Sequence, residues 1–318
     1  MSNITIIENF LLLGFSGDRK LQILHFVIFL AMYLAILMGN LLIITLVAVN
    51  SHLHTPMYFF LVNLSVLDLG STSVVMPKSM ANSLKNISLI SYSECVTQMF
   101  FFLHFLSSDF FLLTVMAYDR YVAICHPLHY SSMMKWSSCI QMAGGVWVAG
   151  FLNAVLHTGT VFSLPFCSNV INQFFCEIPH VVKISCSDSY LNELWALLFS
   201  AISLLGCFVF IVVSYVQIFT AVMRMPSLAN RQKAFSTCIP HITVIFTFVG
   251  TSMFAYFMPI FNSPYNVDQV LAVLYIVVPP MMNPIIYSMR NKDVKAALWT
   301  SLGFILGKKT KKMPPIHL

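Results

Sequence analysis

The sequence predicts an all-α membrane protein, a bundle of seven transmembrane helices followed by a short amphipathic eighth helix. Three observations lead there. The 318 residues are 58% hydrophobic and 9% charged, whereas a soluble domain carries about a quarter charged residues. Apolar runs that meet the roughly 20 residues needed to cross a hydrocarbon core recur about seven times. With the N-terminus outside, 12 of the 17 basic residues fall in the cytosolic loops and tail, as the positive-inside rule requires. The other five are Arg19, Lys20, Lys78, Lys85 and Lys183, and the first two oppose this orientation locally. The expected organisation is an extracellular tail over 1–20, a helix domain over 21–290, and a cytoplasmic amphipathic helix and basic tail over 291–318. The expected location is the plasma membrane.

The elements follow in order. The first 20 residues lack the basic region of a cleavable signal peptide, so the first span, roughly Leu21–Val49, is expected to act as its own signal anchor. It contains Gly39-Asn40, and a buried Asn requires a partner. The second span runs roughly Met57–Met80 and carries Asp68. The third reaches from about Cys95 to Ile124, where Pro127 biases the chain away from helix. The fourth, roughly Ser138–Thr158, carries Trp147 and the small residues Gly144, Gly145, Ala149 and Gly150, which allow close helix approach. A long loop covers Gly159–Tyr190. The remaining spans are roughly Asn192–Met223, Phe235–Met258 and Val267–Met289. Lys292–Leu302 reads as an amphipathic helix on the inner surface, and Lys308–Leu318 as a disordered basic tail. Asn3 and Asn86 head glycosylation sequons, Asn3 being the more accessible. Asn63 also matches but falls within a span.

Several residues carry chemistry. Asp119 and Arg120 form an acid–base pair about one turn from the inner exit of the third span. They read either as a reporter of the bundle's state or as an interfacial anchor reaching for water. Asp68 and Asp109 are acids inside the membrane, which marks them as functional. Asn283-Pro284 loosens the end of the seventh span. Four cysteines (Cys95, Cys167, Cys176 and Cys186) fall in or at the outer loops, an oxidising compartment, and permit three pairings. A bridge from Cys95 into the long loop would pin that loop over the bundle. Cys125, Cys139, Cys207 and Cys238 read as packing residues of the inner half.

Taken together, these residues resemble an olfactory receptor of the rhodopsin-like class. The resemblance runs through Gly39-Asn40, Leu53–Phe60, Asp68, Met116–Cys125, Ser214-Tyr215, Lys233–Cys238 with His241, and Pro279 through Asn283-Pro284 and Tyr287 to Arg290-Asn291. It implies a small-molecule odorant as ligand and coupling to a heterotrimeric stimulatory G protein of the olfactory type. It implies bridges Cys95–Cys176 and Cys167–Cys186. It makes Arg120 the G-protein-facing switch beside Asp119, with Tyr215 and Tyr287 moving near it, and it makes Asp68 and Asp109 a sodium site. No other cofactor is expected. The chain departs from the family pattern at Val249, where a tyrosine is usual, and at Ile239-Pro240, where Pro240 removes a backbone hydrogen bond.

Helical spacing gives the candidate ligand pocket. Phe102, Leu103, Leu106 and Ser107 form an inward stripe on the third span. Phe199 and Ser203 are expected to face them from the fifth, Met253 and Tyr256 from the sixth, and Val273 and Ile276 from the seventh. Such a lining is apolar with a few hydroxyls, and it suits small neutral ligands. Partners other than the lipid bilayer, an odorant and a G protein are not indicated, nucleic acid included. The enzyme motifs His-Glu-x-x-His, Gly-x-Ser-x-Gly and Cys-x-x-Cys are absent from the sequence. The main alternative is a small-solute or ion-coupled transporter using Asp68 and Asp109. The lack of an internal repeat speaks against it.

Overall fold

The computed structural model describes residues 7–15, 17–85, 87–186, 191–257 and 265–290. The side chains of residues 191–194, 256–257, 265–266 and 288–290 are not among those described. Asn3, Asn86, the expected eighth helix and the expected basic tail fall outside the described residues. The elements are β1 (Asn9–Leu12), α1 (Arg19–Val49), α2 (Pro56–Lys85), β2 (Leu89–Ser91), α3 (Tyr92–Cys125), α4 (Tyr130–Met133), α5 (Trp136–Phe162), β3 (Val170–Ile171), α6 (Ile178–Val182), α7 (Leu191–Arg224), α8 (Leu228–Phe257) and α9 (Tyr265–Arg290). Among them α1, α2, α3, α5, α7, α8 and α9 are long and apolar enough to cross a membrane. The helix starts are set locally. Asp18 caps α1 by accepting from the Lys20 amide at 2.9 Å, and Ser91 with Glu94 forms a capping box on α3. α8 begins about two turns before the expected Phe235, because the polar run Leu228–Lys233 continues the helix beyond its apolar part.

α3 is the central helix and packs against α2, α5, α7 and α8. Small residues set its closest approaches. A Cβ on Gly150 would lie 2.0 Å from Ser108 Oγ and 2.9 Å from the His104 carbonyl, so α5 meets α3 backbone to backbone there. Gly70 of α2 seats the Phe105 ring in the same way. The expected role of Gly144 and Gly145 is not found: no atom lies within 4 Å of a Cβ placed on either. They occupy faces of α5 that do not turn toward α3.

α9 contains Pro279, Pro280 and Pro284. Pro284 has no N–H for the carbonyl of Pro280 one turn earlier. Asn40 of α1 supplies the missing donor, its Nδ2 lying 3.0 Å from that carbonyl and 3.1 Å from Ile36 O. Gly39 makes room for the contact, since a Cβ there would meet Pro284 at 3.2 Å. On α2, one residue beyond the carbonyl of Ser73 that Pro77 leaves without an intrahelical donor, Gln98 Nε2 donates to Val74 O at 3.2 Å.

A cap closes the end of the bundle that carries the long loop. Both expected bridges are present, Cys95–Cys176 and Cys167–Cys186. Gln98 accepts from the Cys176 amide at 2.9 Å, which seats the loop directly on α3. The residues expected to form a plain tail include a strand. β1 is the middle of a three-stranded sheet, antiparallel to β2 and parallel to β3. Its Phe10 and Leu12 are buried against Cys95, Ile171 and Cys176.

Two outcomes are expected from this packing. Gly150→Val should lower the thermal stability of purified protein by about 1–3 kcal/mol, the range for overpacking, while Gly144→Ala should change it by less than about 0.5 kcal/mol. Cys95→Ser should remove roughly 2–4 kcal/mol, and non-reducing peptide maps of the unsubstituted chain should contain no free Cys95.

Candidate functional site

The buried polar centre is assembled by α2, α3 and α9. Asp68 is 1% exposed and accepts from Asn283 Nδ2 at 2.9 Å. Ser71 and Thr72 return their hydroxyls to the Asp68 carbonyl at 3.1 and 2.7 Å. Asp109 is buried on α3, close enough for its charge to interact with that of Asp68. Among the described residues Asp109 Oδ1, Asn283 Oδ1, Asn40 Oδ1 and the Tyr287 hydroxyl have no hydrogen-bond partner. An all-oxygen set of two carboxylates and an amide, with acceptor capacity unspent, fits a small hard cation. No cluster of three or more His, Cys, Asp or Glu occurs among the described residues. Of the histidines near the chain turns, His54 Nε2 lies 3.0 Å from Val47 O and His126 Nε2 lies 2.9 Å from the Tyr121 hydroxyl.

At the opposite end from the disulfides, Arg120 pairs with Asp119 at 2.5 Å. Asp119 is 1% exposed, and its second oxygen accepts from the Tyr130 hydroxyl at 2.8 Å. Pro127 opens a 3-10 turn that reverses the chain after α3 and returns Tyr130 to it on the single turn of α4. Burial and the neighbouring Asp119 carboxylate raise the Tyr130 pKa, so its hydroxyl remains a donor at neutral pH. Tyr215 on α7 hydrogen-bonds His241 Nδ1 on α8, and Tyr287 is buried on α9. Sequence reasoning missed Tyr130 and the partnership of His241. The available signal was a tyrosine just beyond a proline turn that follows an acid–base pair.

The pocket candidates divide. Phe102, Leu106, Val273 and Ile276 share one apolar cluster. The Phe102 ring contacts Phe175 of the loop at 5.5 Å and Tyr275 of α9 at 5.8 Å, both edge to face. Leu103 turns the other way, into the cluster of Cys95 and Ala154. Ser107 is tied into a polar chain that sequence reading did not find. Asn153 Nδ2 donates to Ser107 at 2.8 Å, Ser200 Oγ donates to Asn153 at 2.7 Å, and His157 Nε2 lies 2.7 Å from Ser200. Phe199 and Met253 are not inward: they are 61% and 52% exposed on the outside of the bundle. The inward residue of α7 lies one position beyond Phe199, at Ser200, and that of α8 two positions beyond Met253, at Ala255, so each helix is turned by roughly 100° or more from the expected phase. Near the disulfide end the buried residues among those described are Ala196 and Ser200 on α7 and Ala255 on α8. Ser203 is partly exposed and donates to Phe199 O at 2.9 Å. The Tyr256 side chain lies outside the described residues. Val249 is partly buried beside Phe248, which stacks on Phe110 of α3 at 6.0 Å.

Above the Phe102 cluster, Glu177 of the loop is 4% exposed and accepts from the Tyr275 hydroxyl at 2.8 Å. Burial raises its pKa to about 7, against the lowering effect of Tyr275 and with a further rise from Asp268. His180, one turn on, is pushed down to about 4 by burial and by Lys183, against Asp268. The loop is thus seated by a carboxyl that favours its neutral form and a histidine that stays uncharged.

A family model described as "Olfactory receptor" matches residues 29–303. The human olfactory receptor 14A16 is 47% identical over 313 residues, covering 98% of this chain and all of the relative. The human olfactory receptor 14I1 is 50% identical over 300 residues, covering 94% of this chain and 96% of the relative. Among solved structures squid rhodopsin matches with a TM-score of 0.72 at 17% identity, covering 93% of this chain and 90% of that one. At that identity the likeness concerns the fold, a seven-helix bundle.

Glu177 sets a pH dependence whose sign follows from its raised pKa. Between the ordinary carboxyl range and about pH 7 the folded cap holds a proton that an unfolded chain has released, so stability falls as pH rises through that window. Thermal unfolding of purified protein between pH 5 and pH 8 (approximate limits set by that window) should display this fall. Glu177→Gln, which keeps an acceptor for Tyr275 but does not titrate, should flatten it.

Proposed function

Because the chain belongs to the olfactory receptor family, we propose that it is an odorant receptor that raises cyclic AMP through a stimulatory G protein. The family consists of receptors rather than enzymes, and membership gives the transporter alternative no support. The chain is a multi-pass membrane protein. In our reading the disulfide end faces the outside and the Arg120 end the cytosol, in keeping with the basic residues that follow α3, α7 and α9.

The ligand in this reading is small, neutral and mostly apolar. It is held near Phe102, Leu106, Val273 and Ile276, with the Ser107–Asn153–Ser200 chain as the nearby hydrogen-bonding wall. Asp68, Asp109 and Asn283 are proposed to hold a sodium ion in the resting bundle. Bound there, the ion would balance two buried carboxylates that otherwise repel.

The observation that carries the signalling role is the Asp119–Arg120–Tyr130 cluster. Asp119 holds Arg120 against α3, and Tyr130 holds Asp119. Release of Arg120 would free a guanidinium for a partner entering beside Tyr215 and His241. A ligand can favour that state only through its differential affinity for it.

Cyclic AMP reporting in cells that display this chain, challenged with a broad panel of neutral odorants, tests the reading. A response should appear, and Arg120→Ala should abolish it while surface display persists. Normal signalling by surface-displayed Arg120→Ala protein would refute the switch role. Tyr130→Phe removes one hydrogen bond to a charged group, worth about 1.5–3 kcal/mol, and should raise basal cyclic AMP by roughly tenfold or more at equal surface density.

A further inference from the structure

A cavity of about 330 Å³ lies beneath β1, between the N-terminal segment, α1, α2 and the long loop. Its phenyl rings belong to the same apolar cluster as Phe102, but Phe102, Leu106, Val273 and Ile276 do not line it; the rings of Phe174 and Phe175, 5.0 Å apart, lie between Phe15 on one side and Phe102 on the other. Its floor is three phenyl rings. Phe15 lies 5.4 Å from Phe29 and 4.9 Å from Phe174, and Phe29 lies 5.9 Å from Phe174. Its polar side carries the His25 ring, 4.8 Å from Phe15, and Asn82 of α2. Among the described residues neither the His25 ring nor the Asn82 amide has a hydrogen-bond partner. Apart from His25, the lining contains no acidic or basic side chain.

The walls are already held in place. Leu12 N donates to Ser88 O at 2.6 Å, Leu13 N to Ile171 O at 3.0 Å, and Gln269 Nε2 of α9 to Leu13 O at 3.0 Å. Arg19 closes one edge by donating to Ser83 O at 3.2 Å. With its described walls tied in this way, the space loses less on binding than one that must first be ordered.

We propose that this cavity is a second binding site, which takes a small neutral amphiphile whose chain rests on the phenyl floor and whose hydroxyl or carbonyl meets Asn82 and His25. The volume is at the lower end of the roughly 300–1,000 Å³ of small-molecule sites, and an apolar floor with a few convergent polar groups is their usual lining. The polar wall also carries Gln22, Ser79, Ser83 and Ser88, so water has partners on that side, whereas the phenyl floor offers it none and favours an apolar chain. An ammonium would find no opposite charge among the lining side chains, and the guanidinium at the edge, Arg19, is already engaged with Ser83 O. The Asn82 amide both donates and accepts, and it therefore suits an alcohol or a ketone equally.

The site is tested with a decanol carrying a photoreactive diazirine, cross-linked to the full chain in lipid nanodiscs and located by peptide mapping. Saturable labelling is expected within residues 11–29 or 79–88, competed by excess plain decanol. Asn82→Trp and Ser88→Trp fill the cavity from α2 and from the loop, and each should cut that labelling by roughly tenfold or more. Two variants on different walls guard against one that fails to fold, and the wild-type map stands without either. Labelling confined to other segments overturns the proposal. So does labelling of these segments that does not saturate, or that persists undiminished in a folded filled variant. Because the readout is the position of the label, its outcome is separate from whether the chain signals through a G protein.

Discussion

The carbonyl of Pro280 is the point on which the bundle depends. Pro284 leaves it without an intrahelical donor, and in hydrocarbon there is no water to supply one. An amide or carbonyl buried without a partner costs several kcal/mol. Asn40 fills the gap from another helix, and Gly39 lets α1 come close enough to do it. One residue before the proline, Asn283 turns the same distorted segment toward Asp68 of α2. Three helices are thereby joined through one irregular turn, and the irregularity that would weaken a lone helix becomes a specific address for its neighbours. Helices in lipid have no hydrophobic drive to associate, so packing and such polar contacts must hold them.

The two ends of the bundle are built differently. One end is secured by two disulfides, a three-stranded sheet and the Gln98 contacts to α2 and the loop. The other is held at Arg120 by one ion pair and one tyrosine hydrogen bond. Covalent and sheet contacts do not exchange on the timescale of signalling, whereas an ion pair and a hydroxyl contact can be traded for others of similar energy. A molecule meant to pass a change from one end to the other needs this asymmetry: a rigid end against which binding can push, and an end with an alternative arrangement of comparable free energy.

The seven helices were legible in the sequence because apolar runs bounded by polar turns state their length directly. The acid–base pair, Asp68, Asn283-Pro284 and the four outer cysteines were legible because each is an anomaly in an apolar background. What escaped was rotation and long-range pairing. Phe199 and Ser200 are neighbours in a helix that is apolar nearly all round, so nothing in α7 says which of them turns inward. Gly144, Gly145 and Gly150 are chemically alike, and only the course of α3 decides that Gly150 is the one that matters. β1 has four residues, Asn9–Leu12, whose strand character depends on Val170 and Ile171 far along the chain. Asn153, His157 and Ser200 are unremarkable singly and form a chain only when α3, α5 and α7 are placed together.

The strand at the beginning of the chain has a consequence for how the molecule is made. Leu11 and Leu12 pair with Val170 and Ile171, and Leu13 accepts from Gln269. A nascent chain emerges at about 5–20 residues per second, so residues 11–13 wait until nearly the whole protein has been translated before their last partner exists. A segment synthesised before the seven helices is thus among the last to reach its place, arriving after the helices it covers. Its docking therefore reports that the seventh helix has been inserted and the long loop has closed. A cell that inspected the first dozen or so residues for exposed Phe10 and Leu12 would be reading whether the entire chain had finished folding.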